Sequence, residues 1–158
     1  DRQAIRMAVN DGRIDVIATD HAPHTREEKN ASYFQAPSGL PLVQHSLLIL
    51  LELWRNGIFT LETIVERACH APARLFEIQE RGFLREGHWA DLVLVDTNSE
   101  THVTQDTLQS KCGWSTFDGQ CFRSRISATI VSGQVVYRDN QVHDQVRGHQ
   151  VVFAKERR

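Results

Sequence analysis

A short apolar run that ends in a carboxylate and two imidazoles constrains this chain more than any other feature. Ile14 to Ala18 carries two adjacent β-branched residues, Val16 and Ile17, and leads through Thr19 into Asp20, His21, Ala22, Pro23 and His24. Such a run, bounded by a turn, suits a strand buried on both faces of a parallel sheet, which predicts an α/β fold. Pro23 has no amide hydrogen and biases Ala22 away from helix, so the chain turns out of the sheet there. Ionisable side chains at the C-terminal end of such a strand stand where α/β barrels build active sites. Asp20 can there hold a divalent metal or act as a general base, and His24 can reach an anionic substrate. An Asp before a Pro turn can equally cap its own turn, and the residues alone leave both readings open.

Composition narrows the class. The chain has 158 residues and a formal net charge of −2, which fits one globular domain and offers no basic excess for nucleic acid. Its longest apolar segment, Leu47 to Leu51, is too short to cross a bilayer, so no membrane partner is expected. Cys69, Cys112 and Cys121 form no CxxC pair, which favours a reduced, cytoplasmic setting over a disulfide framework. Cys112 and Cys121 invite a metal reading, but without a second pair a four-ligand site is not expected.

The remaining chain divides by period. Asp1 to Asp11 reads as a short helix ended by the Asp11–Gly12 turn signal. Thr25 to Ala36 is polar and reads as a solvated loop anchored by Phe34. The Pro37-Ser38-Gly39-Leu40-Pro41 turn follows, where Gly39 can let backbone approach a ligand. Leu42 to Asn56 is the clearest helix, with Val43, Leu47, Leu50, Leu51 and Trp54 on one apolar face, His45 on the solvated side, and Gly57 placed to end it. Thr60 can cap a second helix, and a third begins at Pro72. Ala90 to Asp96 reads as a strand flanked by turn residues Asp91 and Asp96. Thr97 to Arg125 reads as a long connection without periodicity. Ile126 to Val131 and Gln134 to Arg138 alternate around Ser132–Gly133 as a hairpin without evident partner strands, and Gln141 to Arg158 is a polar tail.

The stretch Asp15 to Thr25, followed by Glu27-Glu28-Lys29, resembles the eighth-strand motif of dihydroorotases, in the amidohydrolase superfamily. Leu42 to Ser46, Gly82 to Gly87 and Lys111 to Gly119 also resemble segments of that group. The departures are Ala71 where Asn often precedes Pro, and Thr116 where Pro is usual. The resemblance implies the C-terminal part of a (β/α)8 TIM barrel over 1–80 and part of a small β-sandwich domain over 81–158. It implies that Asp20 is both metal ligand and catalytic acid/base, and that His24, Ser38 and Gly39 bind substrate. The implied cofactor is zinc, binuclear in the complete protein. The implied reaction interconverts N-carbamoyl-aspartate and dihydroorotate in pyrimidine synthesis, and the implied assembly is a homo-oligomer.

The rest of such a site is not identifiable here. A barrel takes about 250 residues, so the chain reads as the C-terminal portion of a longer enzyme whose N-terminal barrel portion is its first partner. Among eight His there is no His-x-His pair, and Lys29, Lys111 and Lys155 all lie in polar segments. The isolated segment is therefore expected to be inactive and to hold little zinc. His21 receives no role. The alternatives are a hydantoinase- or allantoinase-like cyclic amidohydrolase, and a non-catalytic dihydroorotase-like scaffold subunit.

Overall fold

The helix expected between residues 42 and 56 forms, and its sequence dictates burial on two sides. A computed structural model of the chain describes residues 1–154. In it a 3₁₀ turn (Val43–His45) leads into helix α3, Ser46–Arg55. Five consecutive apolar residues cannot share one helical face, because successive side chains turn about 100° around the axis. Leu50 packs with Val9, Phe59 and Ile64, joined by Leu47 and Trp54. Leu48 packs in a second cluster with Val103 and Phe122, joined by Ile49. Gly57, at φ +68°, ends the helix as expected.

The first cluster is closed by helices on either side of α3. Helix α1 (Arg2–Asn10) contributes Val9. Helix α2 (Arg26–Lys29) is a single turn inside the segment expected to be loop. Thr25 nucleates it through a reciprocal capping box with Glu28, a local signal that outweighs the polar composition. The Thr60 side chain accepts from the Thr63 amide and starts α4 (Leu61–Val65). The third helix does not begin at Pro72. Instead α4 passes through a π-helical turn (Glu66–His70) into α5, Ala71–Leu75. Pro72 has no amide to continue the α ladder, and the widened turn before it absorbs the missing bond.

The β half is a four-stranded antiparallel sheet in the order β1-β4-β5-β6, beside a separate β2–β3 pair. Strand β1 (Leu92–Asp96) pairs with β4 (Arg125–Val131), so the hairpin has the partner that its sequence did not reveal. β4 joins β5 (Gln134–Arg138) through Ser132 and Gly133, both at positive φ. This is the type I′ geometry that matches strand twist. Asp139 and Asn140 repeat the device before β6 (Gln141–Val142), which starts what was expected to be a polar tail. That tail later returns to form a bridge between Phe153 and Ile78, and its last four residues lie outside the described ones. β2 (Thr101–His102) and β3 (Cys121–Phe122) fall inside the expected connection. Two-residue strands are too short to show a period, which is why the sequence hid them.

Three further expectations need correction. Ile14 to Ala18 forms no ladder: Ile17 donates its amide to the Arg67 carbonyl at 3.0 Å, and the first bridge comes at His21. An apolar run becomes a strand only if a neighbouring strand offers its groups, and none does so among the described residues. Phe34 anchors nothing, being 96% exposed and in edge contact with the equally bare Tyr33. Asp91 is more than a turn residue, since its Oδ1 accepts from the Ser132 amide at 2.7 Å and its carboxylate pairs with Arg81.

Gly82 joins the two halves under a tight steric limit. It sits at φ +79°, and a Cβ there would lie 2.4 Å from the Ala73 Cβ and 2.8 Å from the Cys69 carbonyl oxygen. Gly82→Ala combines a disfavoured backbone conformation with a clash against backbone. It should cost about 2 kcal/mol or more of stability, read as a lowered denaturation midpoint. Gly87→Ala, which meets no atom within 4 Å, incurs only the backbone strain at φ +80° and should cost clearly less.

Candidate active site

Asp20 adopts φ +48°, a left-handed conformation that Asp tolerates better than most residues. Asp20 is left exposed there, while His21 is half-buried. The His21 Nδ1 accepts the Leu42 amide at 3.0 Å and the Val43 amide at 3.2 Å. Two donors on Nδ1 place the ring proton on Nε2. His21 thus pins the residue after Asp20 to the start of the α3 region. Sequence reasoning missed this role, because the amides it serves come 21 and 22 residues later.

The next three residues make a tight turn. His24 donates its amide to the Ala22 carbonyl at 3.0 Å, around Pro23. The half-buried His24 is held from two sides. Its carbonyl accepts from the Trp114 indole at 2.7 Å, and its Nδ1 lies 3.7 Å from a Glu28 carboxylate oxygen. Glu28 is itself fixed by the Thr25 amide at 2.7 Å, and the Thr25 amide and hydroxyl hold its carboxyl below the usual range. Trp114 is the second contributor that the sequence did not single out.

Ser38 and Gly39 are brought against this segment. The Ala22 amide donates to the Leu40 carbonyl at 3.0 Å, and His21 forms a parallel bridge with Leu40. Gly39 is at φ +112°, and a Cβ on it would lie 2.4 Å from the Ala22 Cβ. Its lack of a side chain therefore serves the approach to Ala22. Lys29 reaches back from α2 to the carbonyls of Pro37 at 2.7 Å and Gly39 at 3.3 Å. Ser38 is exposed beside the seam. All four residues singled out in the sequence, Asp20, His24, Ser38 and Gly39, thus belong to one seam between residues 20–24 and 37–42.

His45 is not solvated. It is 3% exposed, stacks on Phe122 at 6.0 Å and meets the Phe117 ring edge-on, and burial lowers its pKa. The polar side of the helix is buried because the β2–β3 pair brings Phe122 over it. His21, His45 and Trp114 line a cavity of about 170 Å³ next to the seam.

A metal centre makes its own demands on the donor set. Asp20 presents an exposed carboxylate that no ion pair or hydrogen bond engages among the described residues, which fits one position of a ligand shell. A full shell needs three or four protein donors. Among the described residues, the grouping of His, Cys, Asp and Glu whose ligand atoms converge lies elsewhere and excludes Asp20. Asp20 fits as a contributor to a metal centre, not as its sole holder.

Comparison with known proteins places this geometry in context. The dihydroorotase of Clostridium acetobutylicum is 38% identical over 140 residues, covering 88% of this chain and 33% of the relative. That of Halobacterium salinarum is 42% identical over 118 residues, covering 75% and 28%. That of Pyrococcus furiosus is 34% identical over 148 residues, covering 94% and 34%. The chain thus spans about a third of the length of the curated relatives it matches. Among solved structures, an L-hydantoinase (dihydropyrimidinase) from Arthrobacter aurescens superposes with a TM-score of 0.81 at 30% identity, covering 88% of this chain and 32% of that one. A D-hydantoinase (dihydropyrimidinase) from Thermus sp. gives 0.80 at 25% identity, covering 90% and 32%. The sequence profile of the amidohydrolase family matches residues 1–136, and the chain belongs to that family.

Proposed function

We propose that this chain carries the acid/base end of a zinc-dependent dihydroorotase active site, and that the complete protein interconverts N-carbamoyl-aspartate and dihydroorotate. The observation that carries this is the seam itself. Asp20 is turned out at its head, His24 follows in the same segment, and Ser38 and Gly39 are brought against His21 and Ala22 by the Leu40 and Leu42 backbone contacts. The similarity to dihydroorotases over most of the chain supports the substrate class.

In this reading Asp20 takes a proton from the attacking water and returns it to the ring nitrogen as the amide bond breaks; the new carboxyl group then ionises, so hydrolysis releases one proton to solvent and ring closure takes one up. Asp20, together with donors on other segments of the complete protein, would hold the zinc, which would supply water activation and carbonyl polarisation. His24, fixed at its backbone by Trp114, receives the substrate carboxylate through Nε2 while Nδ1 faces Glu28. Ser38 and Gly39 bound the substrate ring from the opposite strand of the seam.

Residues 1–80 are assigned to the C-terminal end of a (β/α)8 barrel and 81–158 to part of a β-sandwich domain. The remaining barrel then covers what this chain leaves bare. The chain exposes 11374 Å², whereas a compact chain of its mass exposes about 8,000 Å². Ile5, Met7 and Val43 are each more than half exposed. A hydantoin-type ring is the second reading, favoured by the superposition on hydantoinases.

In the complete enzyme, Asp20→Asn should reduce turnover at least about 100-fold in both directions while preserving size and hydrogen bonding; near-normal turnover removes Asp20 from the mechanism. His24→Ala should raise KM for dihydroorotate with bound metal unchanged, and should spare any activity on uncharged dihydrouracil. An equal loss on both substrates argues against the carboxylate role. His21→Ala leaves two amides without their acceptor and should cost about 1–3 kcal/mol and lower turnover through a displaced Asp20. His21→Asn, which can offer an oxygen to the same amides, should restore a substantial part of both.

A further inference from the structure

A second grouping of donor atoms stands on the β2–β3 pair, away from the Asp20 seam. His102 and Cys121 are directly opposite in the antiparallel register, so their side chains leave the same face. Glu100 precedes His102 by two residues and shares that face by the period of an extended chain. On the other face, Phe122 is 4% exposed and belongs to the cluster with Leu48 and Val103. The pair therefore has a packed side that holds it in place and an open side that presents the three donors.

We propose that Glu100, His102 and Cys121 form a surface site for a borderline-soft divalent cation of the zinc type. Their ligand atoms all lie within 4.8 Å of one another, with 3.5 Å between Glu100 Oε2 and His102 Nε2 and 3.8 Å between His102 Nε2 and Cys121 Sγ. Tetrahedral bonds of the lengths usual for zinc set neighbouring ligand atoms about 3.3–3.8 Å apart. The observed separations are near that range before any cation pulls them in. All three side chains are exposed, so rotation can close the longest gap and water can complete the shell. A thiol, an imidazole and a carboxylate together suit zinc or cobalt better than magnesium or calcium, which take oxygen ligands.

The surrounding charge agrees with a cation. Partial desolvation, followed by the carboxylates of Glu100 and Glu52, pushes the Cys121 thiol up from its ordinary value. A nearby cation is already engaged, since Arg123 pairs with Glu52 at 2.6 Å. Binding forms an S–metal bond as the S–H bond breaks, releasing one proton to solvent for each cation. Affinity should therefore weaken about tenfold for each pH unit below the thiol pKa.

Cobalt(II) titration of the full protein tests this, because a thiolate ligand gives a near-ultraviolet charge-transfer band that a carboxylate and imidazole centre at Asp20 cannot produce. The expected result is a band that saturates at one thiolate-bound cobalt per chain. It should disappear in Cys121→Ser, persist in Cys69→Ser, and require a roughly tenfold or higher cobalt concentration in His102→Gln. Zinc should erase the band by displacement. No band in the native protein overturns the site, as does a band that survives Cys121→Ser. An unchanged midpoint in His102→Gln overturns the proposed ligand set independently of how the cysteine variant folds.

Discussion

The burial of helix α3 on two sides is the constraint on which the rest of the structure depends. Leu47, Leu50 and Trp54 face the helical cluster, while Leu48 and Ile49 face the cluster built by Val103 and Phe122. One short helix thereby fixes the helical half and the β half to each other. Glu52, on the same helix, reinforces this by accepting from both the Arg123 backbone and its guanidinium. Arg123 holds the Glu52 carboxyl below the usual range. A partly exposed pair of this kind contributes on the order of 1 kcal/mol at most, so apolar burial does most to hold the two halves together.

The start of the same helical region organises the candidate active site. The backbone amides of Leu42 and Val43 would be orphan donors at a helix start, and His21 satisfies both. That contact ties the position of Asp20 to the packing of α3. The close approach of Gly39 to Ala22 and the reach of Lys29 to Pro37 draw the second strand of the seam against the first. The geometry of the seam is thus a consequence of helix placement, and the seam has few internal degrees of freedom of its own.

Short-range chemistry was legible in the sequence. The helix at 42–56, its glycine stop, the Thr60 cap and the Ser132–Gly133 turn all rest on interactions within a few residues, and all are present. The motif from Asp15 to Thr25 was readable because its residue types are unusual together, and the family match extends over it. The partner of a strand and the burial of a polar face were not legible, since both depend on segments distant in sequence. His45 shows the difference: it lies in the 3₁₀ turn that leads into the helix, and Phe117 and Phe122 arrive from more than 70 residues away to enclose it.

The sequence by itself therefore determined the local elements, the residue types that could carry chemistry, and the family to which they belong. Only the tertiary structure decided that Ile14 to Ala18 lacks a ladder within this chain and that Pro72 lies in a helix continued through a π turn. It also decided that His21 is an anchor and that Cys121 faces His102 rather than Cys112. Local preferences amount to fractions of about 1 kcal/mol per residue, whereas excluding water from an apolar side chain contributes about 1.5–3 kcal/mol. Where the two scales meet, the long-range packing prevails, and it is written in no single stretch of the chain.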